Sequence, residues 1–286
     1  MKINWLVLSL GILLLAGCTS DDCDSDPQKL VLNISIESTR IAKEEFNQGD
    51  NIGLYLVDYA NGSPGILGNA STARATNIKY TYDNSFWYAE PGKDIFLEDN
   101  YSDLYVYYPY DEEMSSASGK TDLTAYPFSI QPDQRISSEE NDFLWGKTEQ
   151  LSASNNRAII IFRHLMSRCE INLKFNDAQE ITWEPDLTIY NTKTNATINL
   201  RVGSVTPVSG TEAIKPFVNL NTKPGFDITY NAIILPQTIP SGTPLFTVNN
   251  GTEILQYVTE TEIVIKPQSL YTFNLTVGDA TINRRL

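Results

Sequence analysis

Apolar and polar residues alternate along much of this chain, which is the pattern of β-strands, whose successive side chains point to opposite faces. The clearest case runs from Leu30 to Glu37. One face of this predicted strand carries four aliphatic side chains, Leu30, Leu32, Ile34 and Ile36. Their full burial would contribute roughly 6–12 kcal/mol, at about 1.5–3 kcal/mol each. We therefore expect the segment to pack as a strand against the domain that follows it.

Further strand patterns fill the rest of the chain, with Gly, Pro and Asn between them. The runs Asn51–Val57 and Ala158–Phe162 are apolar on both faces, which is typical of strands covered on both sides. The run Arg168–Phe175 alternates without an error. No stretch has a sustained helical period. Short strands at regular spacing predict an all-β fold, an antiparallel β-sandwich with little helix.

A polar, turn-prone segment at residues 151–156 is the best candidate for a linker between domains. The chain is long enough for two domains of ordinary size, each with its own core. We therefore expect an N-terminal β-sandwich domain over residues 28–153 and a C-terminal one over residues 154–286.

The first residues of the chain have the organisation of a bacterial lipoprotein signal. The apolar run Trp5–Leu15 is too short for a membrane span, which needs ~20 residues, and Leu15-Ala16-Gly17-Cys18 matches a lipobox. We expect residues 1–17 to be removed as a signal peptide and Cys18 to carry acyl chains such as palmitate. Residues 18–29 are rich in aspartate and indicate a solvated tether. An ordinary signal peptide with a chance cysteine is the alternative.

Composition narrows the class of partner. The chain has 286 residues and a formal net charge of −14. An acidic protein is repelled by nucleic acid and by anionic lipid, so neither is expected as a partner. Besides Cys18, the cysteines are Cys23 in the tether and Cys169 in a predicted strand. A bridge from a mobile tether to a strand is not expected, so we predict that Cys169 is a buried core thiol.

Candidate catalytic chemistry is sparse. The chain has a single histidine, His164, and no Gly-x-Ser-x-Gly elbow presents a serine for it to activate. One histidine without paired cysteines does not make a zinc site, and the acidic run Asp111-Glu112-Glu113 lacks the spacing of a calcium loop. We predict a protein that is not an enzyme, with no cofactor and no metal, in which His164 is structural at a strand end. An exported hydrolase is the least favoured alternative.

Several short motifs, taken in their order, carry a resemblance to a known family. They are Phe46-x-x-Gly49-Asp50-x-Ile52-Gly53-Leu54-Tyr55, Tyr108-Pro109-Tyr110, Asp142-Phe143-Leu144-Trp145-Gly146, Phe162-x-His164-x-x-Ser167, Ile234-Leu235-Pro236-Gln237 and Tyr271-x-Phe273-x-Leu275. This order, with a lipobox in front, resembles the fimbrillin-like lipoproteins of type V pili. The resemblance covers nearly the whole chain.

The resemblance implies two tandem transthyretin-like β-sandwich domains in a structural subunit of a cell-surface fimbria, with a role in adhesion. It implies a place at the outer membrane or in the fimbrium, with other fimbrial subunits and a trypsin-like processing protease as partners. In this family the protease removes the lipid and the first strand, and a strand of another subunit fills the groove. Matched to this sequence, Leu30–Ile36 is the displaced strand. The bond between Arg40 and Ile41 is the cut, with Lys43 as a second candidate.

Two questions stay open at this stage. Only a short polar tail, residues 278–286, follows the last predicted strand, so the place of the subunit as stalk, anchor, tip or accessory is open. The alternative function is a non-polymerising surface lipoprotein that binds glycans through aromatic side chains at Trp87-Tyr88 and Tyr105–Tyr110. Tyrosine and tryptophan are also ordinary strand residues, and packing within the sheets is the favoured account of them.

Overall fold

The computed structural model describes residues 26–38, 43, 45–115, 122–136, 139–176, 185–249, 254–278 and 282–284. Strands dominate these residues, with two short 3₁₀ helices at Glu112–Met114 and Glu139–Asn141. The strands of the first half are β1 (Gln28–Lys29), β2 (Val31–Ile36), β3 (Asn51–Asp58), β4 (Ala73–Tyr82), β5 (Trp87–Ala89), β6 (Phe96–Leu97), β7 (Ser102–Tyr108), β8 (Tyr126–Ser129), β9 (Leu144–Leu151) and β10 (Arg157–His164).

The strands of the second half are β11 (Ser167–Phe175), β12 (Asp186–Ile189), β13 (Asn195–Asn199), β14 (Ser204–Pro207), β15 (Phe217–Asn219), β16 (Ile228–Ile234), β17 (Thr238–Ile239), β18 (Pro244–Asn249), β19 (Ile254–Val258), β20 (Ile263–Val264), β21 (Leu270–Val277) and β22 (Ile282–Arg284). The prediction of an all-β fold is confirmed.

A seven-stranded sheet organises the first half, in the order β2-β10-β9-β7-β3-β4-β5. The run Asn51–Val57 forms β3, which pairs with β7 on one side and β4 on the other, so its predicted central position is confirmed. Alternate residues of β3 enter different cores. Leu54 packs in the core that includes β2, whereas Tyr55 packs in a second core on the opposite face. Both faces of β3 are apolar because both are covered.

The second half encloses a core of its own. A five-stranded sheet, β15-β16-β11-β21-β22, and a three-stranded sheet, β12-β18-β19, contribute residues to this core. Cys169 of β11 lies within it at 2% exposure, so the prediction of a buried core thiol is confirmed. Burial raises the pKa of the Cys169 thiol above its usual range because the thiolate is poorly solvated there.

The two halves of the chain are joined by strand pairing and by side-chain hydrogen bonds. Strand β8 of the first half pairs with β13 of the second, in a sheet of order β14-β13-β8. Trp145 of β9 donates a hydrogen bond from Nε1 to the carbonyl oxygen of Leu200 at 2.6 Å, and both are buried. Arg163 of β10 donates from Nη2 to the carbonyl oxygen of Val202 at 2.6 Å. These contacts hold the second half over one face of the seven-stranded sheet.

Two expectations from the sequence need correction. The predicted linker at residues 151–156 is the turn of the β9–β10 hairpin, closed by a bridge between Ser152 and Asn155. Polar turn residues mark a hairpin as well as a linker, so the boundary at 153/154 cuts through a paired unit. Strand β10 therefore belongs to the seven-stranded sheet of the first half.

The second correction concerns Ala158–Phe162, which was expected to be covered on both faces. Ile159 and Ile161 are 69% and 62% exposed, so this face of the strand is open at these two residues. Most ladders are antiparallel, as the fold class predicts, and two are parallel: β2 beside β10 and β21 beside β11.

Candidate functional site

The predicted displaced strand lies at the edge of the seven-stranded sheet. Strand β2 pairs with β10 in parallel register, from Val31 opposite Arg157 to Ile36 opposite Phe162. It stands last in the strand order, so this ladder is the only one it forms among the described residues. An edge strand leaves with the loss of one ladder, whereas an internal strand breaks two.

Backbone and ionic contacts fix both ends of β2. The backbone N–H of Val31 donates to the carbonyl oxygen of Asn156 at 2.9 Å, and that of Glu37 donates to the carbonyl oxygen of Phe162 at 2.8 Å. Before β2, the pair β1–β6 ties the chain to a second element, and Lys29 Nζ lies 2.9 Å from Asp94 Oδ1. The lysine and aspartate side chains of this ion pair are 55% and 34% exposed, so its contribution to stability is small.

The predicted apolar face of the strand points into the core. Leu30 is 3% exposed, and Leu32, Ile34 and Ile36 pack on the same core while staying partly exposed. On β10, the inward residues Ala158, Ile160 and Phe162 are all fully buried. The hydrophobic contribution of the strand is therefore below the roughly 6–12 kcal/mol of full burial.

A buried lysine, Lys43, lies shortly after β2 in the chain. Lys43 is 1% exposed, and its Nζ lies 2.9 Å from Asp50 Oδ2 and 3.3 Å from Glu139 Oε2. The same ammonium lies 4.9 Å from the ring centroid of Tyr108 and 5.7 Å from that of Phe46, within the range of cation–π attraction. Two carboxylates and two rings thus replace the water that a lysine normally needs.

The single histidine belongs to the same cluster. His164, the last residue of β10, is 1% exposed, and its Nδ1 lies 2.7 Å from Asp142 Oδ2. The backbone N–H of Lys43 donates to that same Asp142 oxygen at 3.4 Å. His164 thus has the structural position at a strand end that the sequence predicts, and its closest polar contact is a buried carboxylate.

The sequence analysis missed this cluster as a unit, although a signal was present. Phe46, Asp50, Tyr108, Asp142 and His164 all lie in the motifs that carry the family resemblance. Four separate motifs therefore meet around Lys43: Asp50, Phe46 and Tyr108 contact its ammonium, and Asp142 accepts from its backbone N–H and contacts His164. The sequence indicates Lys43 only as a second candidate for the cut. Its burial depends on residues far along the chain, which no local pattern reveals.

Several residues that the sequence predicts as sites lie outside the described part of the chain. Cys18, Arg40 and Ile41 are among them, and so is most of the tether at residues 18–29. At the other end of the chain, Ile282–Arg284 forms β22, which pairs with β21, and Ile282 is 6% exposed in the core of the second half. Residues 282–284 of the tail are therefore paired within the sheet of the second half.

The aromatic residues proposed for glycan binding are largely internal. Tyr105, Tyr107 and Tyr108 are 3%, 0% and 6% exposed, and Trp87 packs on the core around β2. Only Tyr88 of that group, at 50% exposure, is well exposed. The favoured account, packing within the sheets, is confirmed for these residues.

Metal-binding clusters and membrane-spanning helices have no counterpart among the described residues. No group of three or more His, Cys, Asp or Glu side chains in them is arranged to hold a metal ion. None of the helices in this part of the chain is long and apolar enough to span a membrane. The edge strand β2 and the cluster around Lys43 are therefore the candidate functional site.

Comparison with known proteins identifies the family. The fimbrillin-like family model matches residues 39–284, so the chain belongs to the fimbrillin-like family. Membership supports a role as a fimbrial subunit at the cell surface, in association with other fimbrial subunits. The family is structural, so the chain is not an enzyme. Among curated proteins, none matches the chain.

Solved structures share the fold at low sequence identity. A candidate cell adhesion protein from Bacteroides uniformis is 20% identical, with a TM-score of 0.65 over 90% of this chain and 96% of its own. A candidate cell adhesion protein from Bacteroides ovatus is 16% identical, with a TM-score of 0.67 over 92% and 97%. The C-terminally truncated tip fimbrial protein Mfa3 from Porphyromonas gingivalis is 6% identical, with a TM-score of 0.53 over 91% and 98%.

Proposed function

We propose that this chain is a subunit of an adhesive cell-surface fimbria, exported as an outer-membrane lipoprotein with acyl chains on Cys18. A trypsin-like protease cuts between Arg40 and Ile41 and removes the lipid together with the strand Leu30–Ile36. A strand of a neighbouring subunit then takes the vacated place. The body consists of two tandem transthyretin-like β-sandwich domains, divided after β10.

The observation that carries this proposal is the position of β2 at a sheet edge. Its departure breaks the one ladder with β10, and the order from β10 to β5 stays hydrogen bonded. The exposed edge of β10 then offers unpaired backbone groups, which an incoming strand satisfies by β-augmentation.

The vacated groove also selects the kind of strand that fits. Ala158, Ile160 and Phe162 would line it, and in the intact chain they face the alternating aliphatic side chains of β2. A donor strand therefore needs apolar residues at every second position. Such a strand covers the core that trimming uncovers, which favours assembly over the trimmed monomer.

The processing step is tested by determining the N-terminus of protein recovered from the cell surface and from assembled fimbriae. We expect assembled material to begin at Ile41. The variant Arg40→Gln should retain acylated Cys18 and stay cell-bound without assembling. Lys29→Gln is the matched control, because it removes a basic residue within the segment that leaves. Fimbriae whose subunits all retain Cys18 would contradict the proposal.

A further inference from the structure

Lys43 lies close to the proposed cut, yet it differs from an ordinary protease target. We propose that the burial of Lys43 withholds it from the processing protease, so that trimming ends after Arg40 and Lys43 stays with the body. The inference rests on the proposed function, because it concerns where the same protease stops. It makes Lys43 a residue that determines cleavage specificity rather than a second cut site.

The side chain of Lys43 is held by two acidic partners. Asp50 Oδ2 lies 2.9 Å from its ammonium, and Glu139 Oε2 lies 3.3 Å away. The Asp50 side chain is itself only 15% exposed. Withdrawing the ammonium would leave a largely buried carboxylate without its cation, which is strongly unfavourable.

The backbone at Lys43 is held as well. Its N–H donates to Asp142 Oδ2 at 3.4 Å, and that oxygen lies 2.7 Å from His164 Nδ1. His164 ends β10, the strand that pairs with β2. The first described residue after the proposed cut is therefore tied to the strand whose edge the donor would occupy.

These contacts oppose proteolysis in a definite way. A trypsin-like protease takes the basic side chain into a pocket with an acidic residue at its base, and it binds the backbone on both sides in an extended form. A site that is buried and hydrogen bonded is cleaved only after local opening. Opening at Lys43 requires the loss of both ion pairs and the contacts with the Tyr108 and Phe46 rings.

The test is limited trypsin digestion of the intact exported chain, with the new N-termini followed by mass spectrometry. In the wild type we expect cleavage after Arg40 at least tenfold faster than after Lys43. In Arg40→Gln, the bond after Lys43 should stay uncut over the same period. Asp50→Asn in that background should raise the rate of cleavage after Lys43 at least tenfold, and Glu139→Gln should raise it less.

Two checks separate this inference from general unfolding. Circular dichroism must show that each variant retains its strand content. If Asp50→Asn does not fold, Glu139→Gln serves as a milder substitution. Glu90→Gln removes an exposed ion pair with Lys79 and should leave Lys43 protected. Rapid cleavage after Lys43 in the wild type, or unchanged protection in folded Asp50→Asn and Glu139→Gln, would overturn the inference. If the chain is cut neither after Arg40 nor after Lys43, the proposed processing is overturned. The protection of Lys43 is still supported by that result.

Discussion

Ile34 of β2 lies opposite Ile160 of β10 in parallel register, and the two side chains differ in burial. Ile160 is fully buried inside the sheet, whereas Ile34 is partly exposed at its edge. The sheet order places β10 between two partners and β2 beside one. A strand that can be exchanged and the strand that receives it are thus direct neighbours.

This pair predicts unequal effects of truncation. Ile160→Ala should lower the free energy of unfolding by about 2–5 kcal/mol, because it opens a cavity in a closed core. Ile34→Ala should lower it by roughly 1–2 kcal/mol, because the side chain is partly exposed and its site can relax. Urea denaturation measures both values. Asn33→Ala, on the exposed face of β2, is the control and should change the value by less than about 0.5 kcal/mol. Equal losses at Ile34 and Ile160 would contradict the edge position.

A close approach at Gly53 gives a second prediction. A Cβ atom on Gly53 would overlap the ring of Tyr107 and lie 2.7 Å from Asn77 Oδ1. Tyr107 is fully buried and donates a hydrogen bond to that same oxygen at 2.7 Å, so neither neighbour moves freely. Gly53→Ala should therefore destabilise the protein by about 1–3 kcal/mol or more through overpacking. Adding Tyr107→Leu should remove part of that penalty, and purely additive losses in the double variant would argue against the overlap.

Alkaline pH should unfold the protein through its buried tyrosines. Burial is the main cause that raises the pKa of Tyr55 and of Tyr107 above the usual value, and each hydroxyl donates a hydrogen bond in the folded chain. In the unfolded chain these groups ionise near pH ~10. The unfolded state then releases protons first, so stability is complete below that pH and declines as the pH rises above it. Absorbance of tyrosinate and circular dichroism, recorded together, should show these side chains ionising only as strand signal is lost. Ionisation of all tyrosines at unchanged circular dichroism would contradict this.

The thiol of Cys169 should be inert in the folded protein. Its side chain is fully enclosed, and desolvation raises the pKa of the thiol, so little reactive thiolate forms at pH 8. Residues 26–286 contain Cys169 as their one cysteine, which allows a direct assay with a thiol reagent. We expect no reaction in buffer and one equivalent after denaturation. Fast reaction of folded protein would place Cys169 outside the core.

The sequence was sufficient for the all-β class and for the inward face of β2, because both follow from local alternation. It did not reveal which edge of which sheet receives β2, because the pairing of Ile34 with Ile160 joins residues far apart in the chain. Ala158–Phe162 shows the same limit. An apolar run indicates a strand but not whether both of its faces are covered, and Ile159 is 69% exposed.

The protected lysine shows why site residues are harder to predict than strands. In sequence, Arg40 and Lys43 are both basic residues in a polar stretch, and Lys43 is the second candidate for the cut. The sequence does not show that the fold brings Asp50, Glu139 and Asp142 to Lys43. The motif resemblance contained three of the cluster's polar residues, Asp50, Asp142 and His164, without indicating what they surround.

The central claim is tested most directly by adding strand peptides to the trimmed body, residues 41–286, produced by cleavage after Arg40. A peptide of residues 26–38 should bind at one copy per body and raise its thermal unfolding midpoint toward that of the intact chain. A matched peptide carrying Leu32→Asp and Ile34→Asp should not bind, because it places charges in the groove. The account would be contradicted if the trimmed body binds neither peptide. It would also be contradicted if the trimmed body without a peptide is as stable as the intact chain.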